Sequence, residues 1–131
     1  MIAHSTIASD QLIETLRRTI AALVRRRDID LTARQLGVFL VCYCEGEPQT
    51  VRGLAQRLNI PRPVVSRILD RLEQDGFLRR QADPSDLRSV FTERTPAGHA
   101  FFRKLKQIMA KAATEAAQAS PQGEELGTTP R

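Results

Sequence analysis

Residues 51–95 run VRGLAQRLNIPRPVVSRILDRLEQDGFLRRQADPSDLRSVFTERT, and the punctuation of this stretch decides the fold. A short helix is predicted over 51–58. It carries Ala55, small enough to let a second helix cross closely. Asn59 stands four residues on, where the turn needs a residue that tolerates positive φ. Leu54, Leu58, Ile60, Val65 and Ile68 are spaced to plug both helices onto a core. The second helix is predicted over 62–75, with Gly76 able to take a left-handed cap. Alternation predicts strands over 77–81 and 89–94, joined by the turn former Asp83-Pro84-Ser85-Asp86. The simplest use of helix, turn, helix and hairpin is one helix in a DNA major groove with the hairpin as a wing beside it.

Outward from this unit, residues 9–27 predict an amphipathic helix. Leu12, Ile13, Leu16, Ile20, Leu23 and Val24 recur at three- and four-residue steps, with Ser9 or Asp10 as the cap. Thr32 and Gln35 form a capping box. The helix they open, to about Cys44, is apolar nearly all round and is expected to be the central buried one. Thr95-Pro96 starts a final helix through Phe101, Phe102, Leu105, Ile108 and Met109, Ala-rich over 110–119. The segment 120–131, SPQGEELGTTPR, lacks core formers and is expected to be disordered. The division expected is therefore an arm and dimerisation helix over 1–30, a winged helix-turn-helix over 31–95, a second dimerisation helix over 96–119 and a tail over 120–131. The fold class is mainly α with a small β-hairpin wing.

Size and composition agree with one domain plus arms: 131 residues, 41% apolar, no Trp and 5% aromatic. So few aromatics predict an aliphatic core. No apolar run reaches membrane-spanning length, so no membrane association is expected. The start, MIAHSTIASD, lacks a basic n-region and an apolar h-region, which argues against a secretory signal and for a cytoplasmic location. The formal charge is +5 and the pI about 10.0. All but three of the 20 basic residues are Arg, the exceptions being Lys104, Lys106 and Lys111. This balance favours a polyanionic partner, and Arg is the better residue for bidentate contact with phosphate or guanine.

The outward face of helix 62–75 carries Arg62, Pro63, Ser66, Arg67 and Arg71 as candidate DNA contacts. Arg62, Ser66 and Arg67 are placed to read bases or flanking phosphates. For Arg71, an ion pair with Asp70, Glu73 or Asp75 is the simpler reading. Arg52, Arg57, Arg79 and Arg80 are candidate phosphate contacts. In the wing, Asp86 stands two residues from Arg88 and could hold its guanidinium for the minor groove.

These stretches together resemble the MarR family of bacterial winged-helix transcription regulators. The match runs through Leu31-Thr32 with Gln35-Leu36, Leu54-Ala55-Gln56-Arg57-Leu58 and Leu72-Glu73-Gln74-Asp75-Gly76. It continues through Phe77-Leu78, the wing Asp83-Pro84-Ser85-Asp86-Leu87-Arg88, and Thr95-Pro96-Ala97-Gly98. It covers about residues 10–110. The resemblance implies a homodimer whose first and last helices interlock. It implies an inverted-repeat operator in double-stranded DNA, Arg88 as the minor-groove arginine and Asp86 as its partner. It leaves room for a small-molecule effector of unknown identity. Two departures stand out: Leu87 replaces a second basic residue common in the wing, and SPQGEELGTTPR stands where family members usually add another helix.

Enzyme chemistry finds no support. His4 and His99 are far apart, and no metal-ligand spacing, phosphate-cradling glycine loop or nucleophile elbow occurs, so no cofactor is expected. Two other readings stay open: a winged-helix module that binds protein, and a thiol-based redox regulator using Cys42 and Cys44. The two cysteines point to different faces of one helix, a poor geometry for a mutual disulfide. Cys42 reads as a packed thiol, and the family's peroxide-sensing branch carries its reactive cysteine in the first helix instead.

Overall fold

The computed structural model describes residues 8–127, apart from the side chains of Leu87 and residues 120–127. Its elements are α1 (Ser9–Arg25), α2 (Ala33–Cys44), α3 (Val51–Leu58), α4 (Arg62–Gln74), β1 (Leu78–Asp83), β2 (Asp86–Arg94) and α5 (Pro96–Gly127). They fall into two compact units. Residues 31–103 form a head, and the described residues of 8–30 with 104–127 form a helical unit. The fold class agrees with the sequence reading.

Each helix of the head begins and ends where the local chemistry says it should. Thr32 Oγ1 accepts from Gln35 N at 3.1 Å, and Thr32 N donates to Gln35 Oε1 at 2.9 Å, so the capping box closes α2. Thr50 caps α3 by accepting from Gly53 N at 2.9 Å. Asn59 ends α3 at φ 55, and Gly76 follows α4 at φ 83. Phe77 N then reaches back to Leu72 O at 2.9 Å, satisfying an orphan carbonyl of α4. Thr95 Oγ1 accepts from Gly98 N at 3.0 Å and opens α5.

The wing is a two-stranded antiparallel hairpin running from Leu78 opposite Arg94 to Asp83 opposite Asp86, irregular at Ala82/Asp83. Its strands are longer at the tip than alternation suggested, because Asp83 stabilises the turn. Its Oδ1 accepts from both Ser85 N, at 2.9 Å, and Ser85 Oγ, at 2.8 Å. Those bonds, the backbone one foremost, also hold the Asp83 carboxyl below its ordinary pKa. A bridge between Thr50 and Phe91, with Thr92 N donating to Gln49 O at 2.8 Å, ties the segment before α3 to the wing.

The head's core corrects the expectation of an aliphatic interior. Phe39 is fully buried, as are Val38, Leu54, Val65, Leu69 and Leu72. Its ring lies 4.4 Å from Tyr43, 5.0 Å from Phe101 and 5.8 Å from Phe77, centroid to centroid. Aromatics are scarce in this chain, but the fold concentrates them at one point. Tyr43 is its polar anchor: the hydroxyl donates to Phe77 O at 2.7 Å and accepts from Thr95 N at 3.0 Å. Gly98 makes room for it, since a Cβ there would lie 1.8 Å from that hydroxyl. Arg94 donates to the carbonyls of Cys42 and Glu45, satisfying the C-terminal end of α2.

In the helical unit, α1 differs from expectation at both ends. Its N-cap is Ala8, whose carbonyl takes Gln11 N and Leu12 N, so Ser9 and Asp10 lie inside the first turn and neither caps. It stops at Arg25, where Arg26 turns extended and its side chain pairs with Asp28 at 3.0 Å. The tail expected from residue 120 continues instead as α5 backbone to Gly127. The Ala-rich run 110–119 supplies the reason, because adding residues to a formed helix needs no new nucleus. The arm before residue 8 and the tail after 127 lie outside the described residues.

Candidate nucleic-acid interface

The period of α4 sorts its residues into two faces. Val65, Ile68, Leu69 and Leu72 are buried, while Arg62, Pro63, Arg67 and Asp70 are exposed and Ser66 half-buried. With the buried side locked onto the core, the opposite side is presented as a rigid ridge. Proline at the second position of α4 costs nothing, because the first-turn N–H groups have no partner inside the helix.

Three cations from three elements converge beside that ridge. Arg52 from α3, Arg62 from the start of α4 and Arg88 from β2 line one hollow of about 660 Å³, with Thr50, Asp86 and Ser89. Arg52 and Arg62 also flank a second hollow at the helix-turn-helix corner, lined by Gln56, Asn59 and Pro61. Among the described residues no ion pair joins Arg52, Arg62 or Arg67 to a carboxylate. Arg88 is 93% exposed, and its Nε stands 3.5 Å from Asp86. Asp86 spends its oxygens on Arg88 N at 3.1 Å and Ser89 Oγ at 3.3 Å, so it shapes the wing tip more than it restrains the guanidinium.

The remaining candidates are engaged within the head. Arg57 pairs with Glu45 at 2.9 Å and Arg71 with Asp75 at 3.0 Å. Arg79 stands 3.7 Å from Glu93. Arg80 is the most constrained, bonded to Asp70 and, at 2.9 Å, to Glu73. Partial burial disfavours its charge, but the hydrogen bonds to the two carboxylates outweigh that, and its pKa is raised. Exposed pairs of this kind contribute about 0–1 kcal/mol and exchange readily for a phosphate. Arg80, held twice and half-buried, is the least available.

Sequence reasoning missed the parts of the site that are not charged. Thr50 caps α3 and lines the hollow. Gln56 is exposed at the corner between Arg52 and Arg62. The Thr-Val-Arg-Gly start of α3 carried the capping signal for Thr50, whereas nothing local marks Gln56. Cys42 is buried, and burial pushes its thiol pKa up, against a reactive thiolate there; Cys44 is exposed. Among the described residues no group of His, Cys, Asp and Glu could hold a metal ion, and no helix is long and apolar enough to cross a membrane.

A ridge helix locked on its inner face, a left-handed turn before it and a hairpin after it define a winged helix-turn-helix. Residues 31–90 match the model of the MarR family, and the head resembles the winged-helix domain of that family. An uncharacterised HTH-type transcriptional regulator, YkoM of Bacillus subtilis (strain 168), is 34% identical over 76 residues, 58% of this chain and 49% of its own length. The chain thus spans about half the length of the curated relative it matches. MepR of S. aureus, solved as a DNA complex, superposes with TM-score 0.68 at 19% identity over 89% of this chain and 94% of its own. Apo MarR from E. coli gives 0.62 at 23% identity, covering 94% of each chain.

Proposed function

We propose that this chain is a sequence-specific, double-stranded-DNA-binding transcription regulator that works as a homodimer on an inverted repeat, as a repressor. The observation that carries this reading is the convergence of Arg52, Arg62 and Arg88 on one hollow beside the α4 ridge. Three arginines lining one hollow against a single carboxylate, Asp86, leave an excess of positive charge there that a polyanion would neutralise. In this reading α4 enters the major groove. Arg62, Ser66 and Arg67 read base edges, with Pro63 packed at the backbone. Arg52 takes a phosphate, and Arg57, Arg71 and Arg79 join after exchanging their carboxylates. Arg88 reaches the flanking minor groove, into which its exposed guanidinium at the wing tip can extend.

The homodimer rests on a different feature. Leu12, Ile13, Leu16, Ile20 and Val24 of α1 and Met109 of α5 are all exposed, between 42% and 72%. Burying one such side chain fully stabilises by about 1.5–3 kcal/mol, so a second copy of the stripe is a strong complement. A cytoplasmic location follows from the DNA partner.

Selection of bound duplexes from a random pool tests the whole reading. The expected product is an inverted repeat whose half-site centres lie ~34 Å apart, bound with an affinity that falls steeply with salt. Recovery of no consensus, with no retardation of any duplex in dilute buffer, overturns it.

A further inference from the structure

The two ends of β2 are held very differently. At its base, Arg94 donates from Nε to Cys42 O at 3.0 Å and from Nη2 to Glu45 O. Its guanidinium also lies over the Tyr43 ring, 5.5 Å from the centroid. Cys42 and Glu45 stand at the C-terminal end of α2, where carbonyls lack helical partners and the helix dipole is negative. Glu45 is tied onward, its carboxylate holding Arg57 of α3 at 2.9 Å. Two residues before Arg94, Thr92 is buried, and its Oγ1 accepts from Gln49 N at 3.2 Å. At the other end, Arg88 stands 93% exposed at the wing tip.

We propose that Arg94 is a positioning residue for DNA recognition: by clamping the base of β2 to the end of α2, it sets the offset between the α4 ridge and Arg88. The inference rests on the DNA reading above and adds what fixes the register of its two reading elements. The route is continuous through the head. α4 packs against α2, α2 accepts Arg94, and β2 carries Arg88. β1 follows α4 after the single turn at Gly76, so its start is fixed by the chain itself, whereas β2 returns from the tip and needs an anchor. Arg88 lies six residues along β2 from Arg94, about 20 Å at ~3.3 Å per residue. A rotation of about 10° at the base therefore moves the tip by about 3.5 Å, close to the rise of one base pair. A planar guanidinium spans two carbonyls and resists that rotation, while a lysine ammonium would serve as a point charge.

The test uses the full chain and the selected operator, with an A·T tract at its preferred flanking position or displaced outward by one or two base pairs. Binding is followed by fluorescence anisotropy. The parent is expected to favour one placement by about fivefold or more. Arg94→Gln should cut that preference to about twofold or less, with affinity for the G·C-flanked operator held within about twofold, and Arg94→Lys should fall between. In an Arg88→Ala background, Arg94→Gln should have no further effect, because a residue that acts through Arg88 then has nothing left to place. Without DNA, hydrogen exchange at the Thr92 amide, which donates to Gln49 O, should quicken about tenfold in Arg94→Gln. The proposal is overturned if Arg94→Gln keeps the parent's placement preference, if it weakens A·T- and G·C-flanked duplexes equally, if its loss adds in full to that of Arg88→Ala, or if Thr92 exchange is unchanged. A parent that binds no duplex overturns the DNA reading and this proposal together; a parent whose placement preference ignores Arg94 overturns this proposal alone. Should Arg94→Gln fail to fold by circular dichroism, Arg94→Lys carries the same test, since it keeps the charge and loses the fork.

Discussion

The two units of this molecule handle apolar surface in opposite ways. The head buries Phe39, Leu54, Val65, Leu69 and Leu72 within itself and caps its helices with its own side chains. The helical unit leaves Leu12, Ile13, Leu16, Ile20, Val24 and Met109 in solvent. Thr19, Leu105, Ala112 and Ala116 are buried there, and half of those are alanines. The difference teaches where each kind of stability comes from. A unit with a closed aromatic centre folds on internal contacts. On the homodimer proposed above, a second copy complements the unit that exposes its largest side chains, and its stability should then depend on concentration.

The largest effect should come from the centre of the head. Phe39→Ala removes the ring that touches Tyr43, Phe77 and Phe101, and is expected to cost about 3–5 kcal/mol in urea unfolding. Gly98→Ala should act in the same direction, because its Cβ collides with the Tyr43 hydroxyl and the Phe77 carbonyl. If either variant melts like the parent, the head is not self-contained and the contrast fails.

Next in size, Leu16→Glu with Ile20→Glu should weaken self-association about 100-fold or more, roughly 3 kcal/mol, by sedimentation equilibrium. The circular dichroism of the head should survive. A monomeric parent protein at working concentration would remove the need for the complement altogether.

A third test sharpens the division inside the head between free and engaged arginines. Arg67→Ala should lose about 1–3 kcal/mol on the selected operator and relax its sequence preference. Arg52→Ala should lower the salt slope by about 1 without changing preference. Arg88→Ala should matter most on sites flanked by A·T tracts. Arg80→Ala, whose partners are Asp70 and Glu73, should barely alter DNA binding. An equal loss for Arg80 and Arg88 would mean that the ion pairs seen in the free head do not set availability.

The smallest effect is a pH limb confined to the helical unit. Hydrogen bonds from Arg17, and then Arg18, hold Glu14 at about 2, below its ordinary 4.5. A depressed carboxyl stabilises the folded state above its unfolded pKa and loses that contribution as pH falls from about 4.5 toward 2. Glu14→Gln should therefore lower α1 helicity slightly at neutral pH and flatten its acid limb, with parent and variant converging at low pH. Exposure of the pair keeps the amplitude small.

Much of the head was legible because its signals are local. A capping box, a left-handed asparagine, a glycine after α4 and an Asp-Pro-Ser turn each act within four residues, and each appears where the sequence reading put it. The amphipathic period of α4 likewise named its outward face. Misreadings arose where the signal was not local. The cap of α1 fell to Ala8 rather than to Ser9 or Asp10, since a carbonyl can satisfy the first turn without a side chain. Composition predicted an aliphatic core, yet composition says nothing about where scarce rings gather.

By itself the sequence determined the helix boundaries of the head, the wing and the pool of arginines, because backbone hydrogen bonding and hydrophobic period act between near neighbours. Which arginines are free was decided only by the tertiary structure. Arg52, Arg62 and Arg88 lie far apart in the chain, and Arg80 meets Asp70 ten residues away. Coulomb interactions depend on distance through space, so pairing and convergence exist only once the chain is folded.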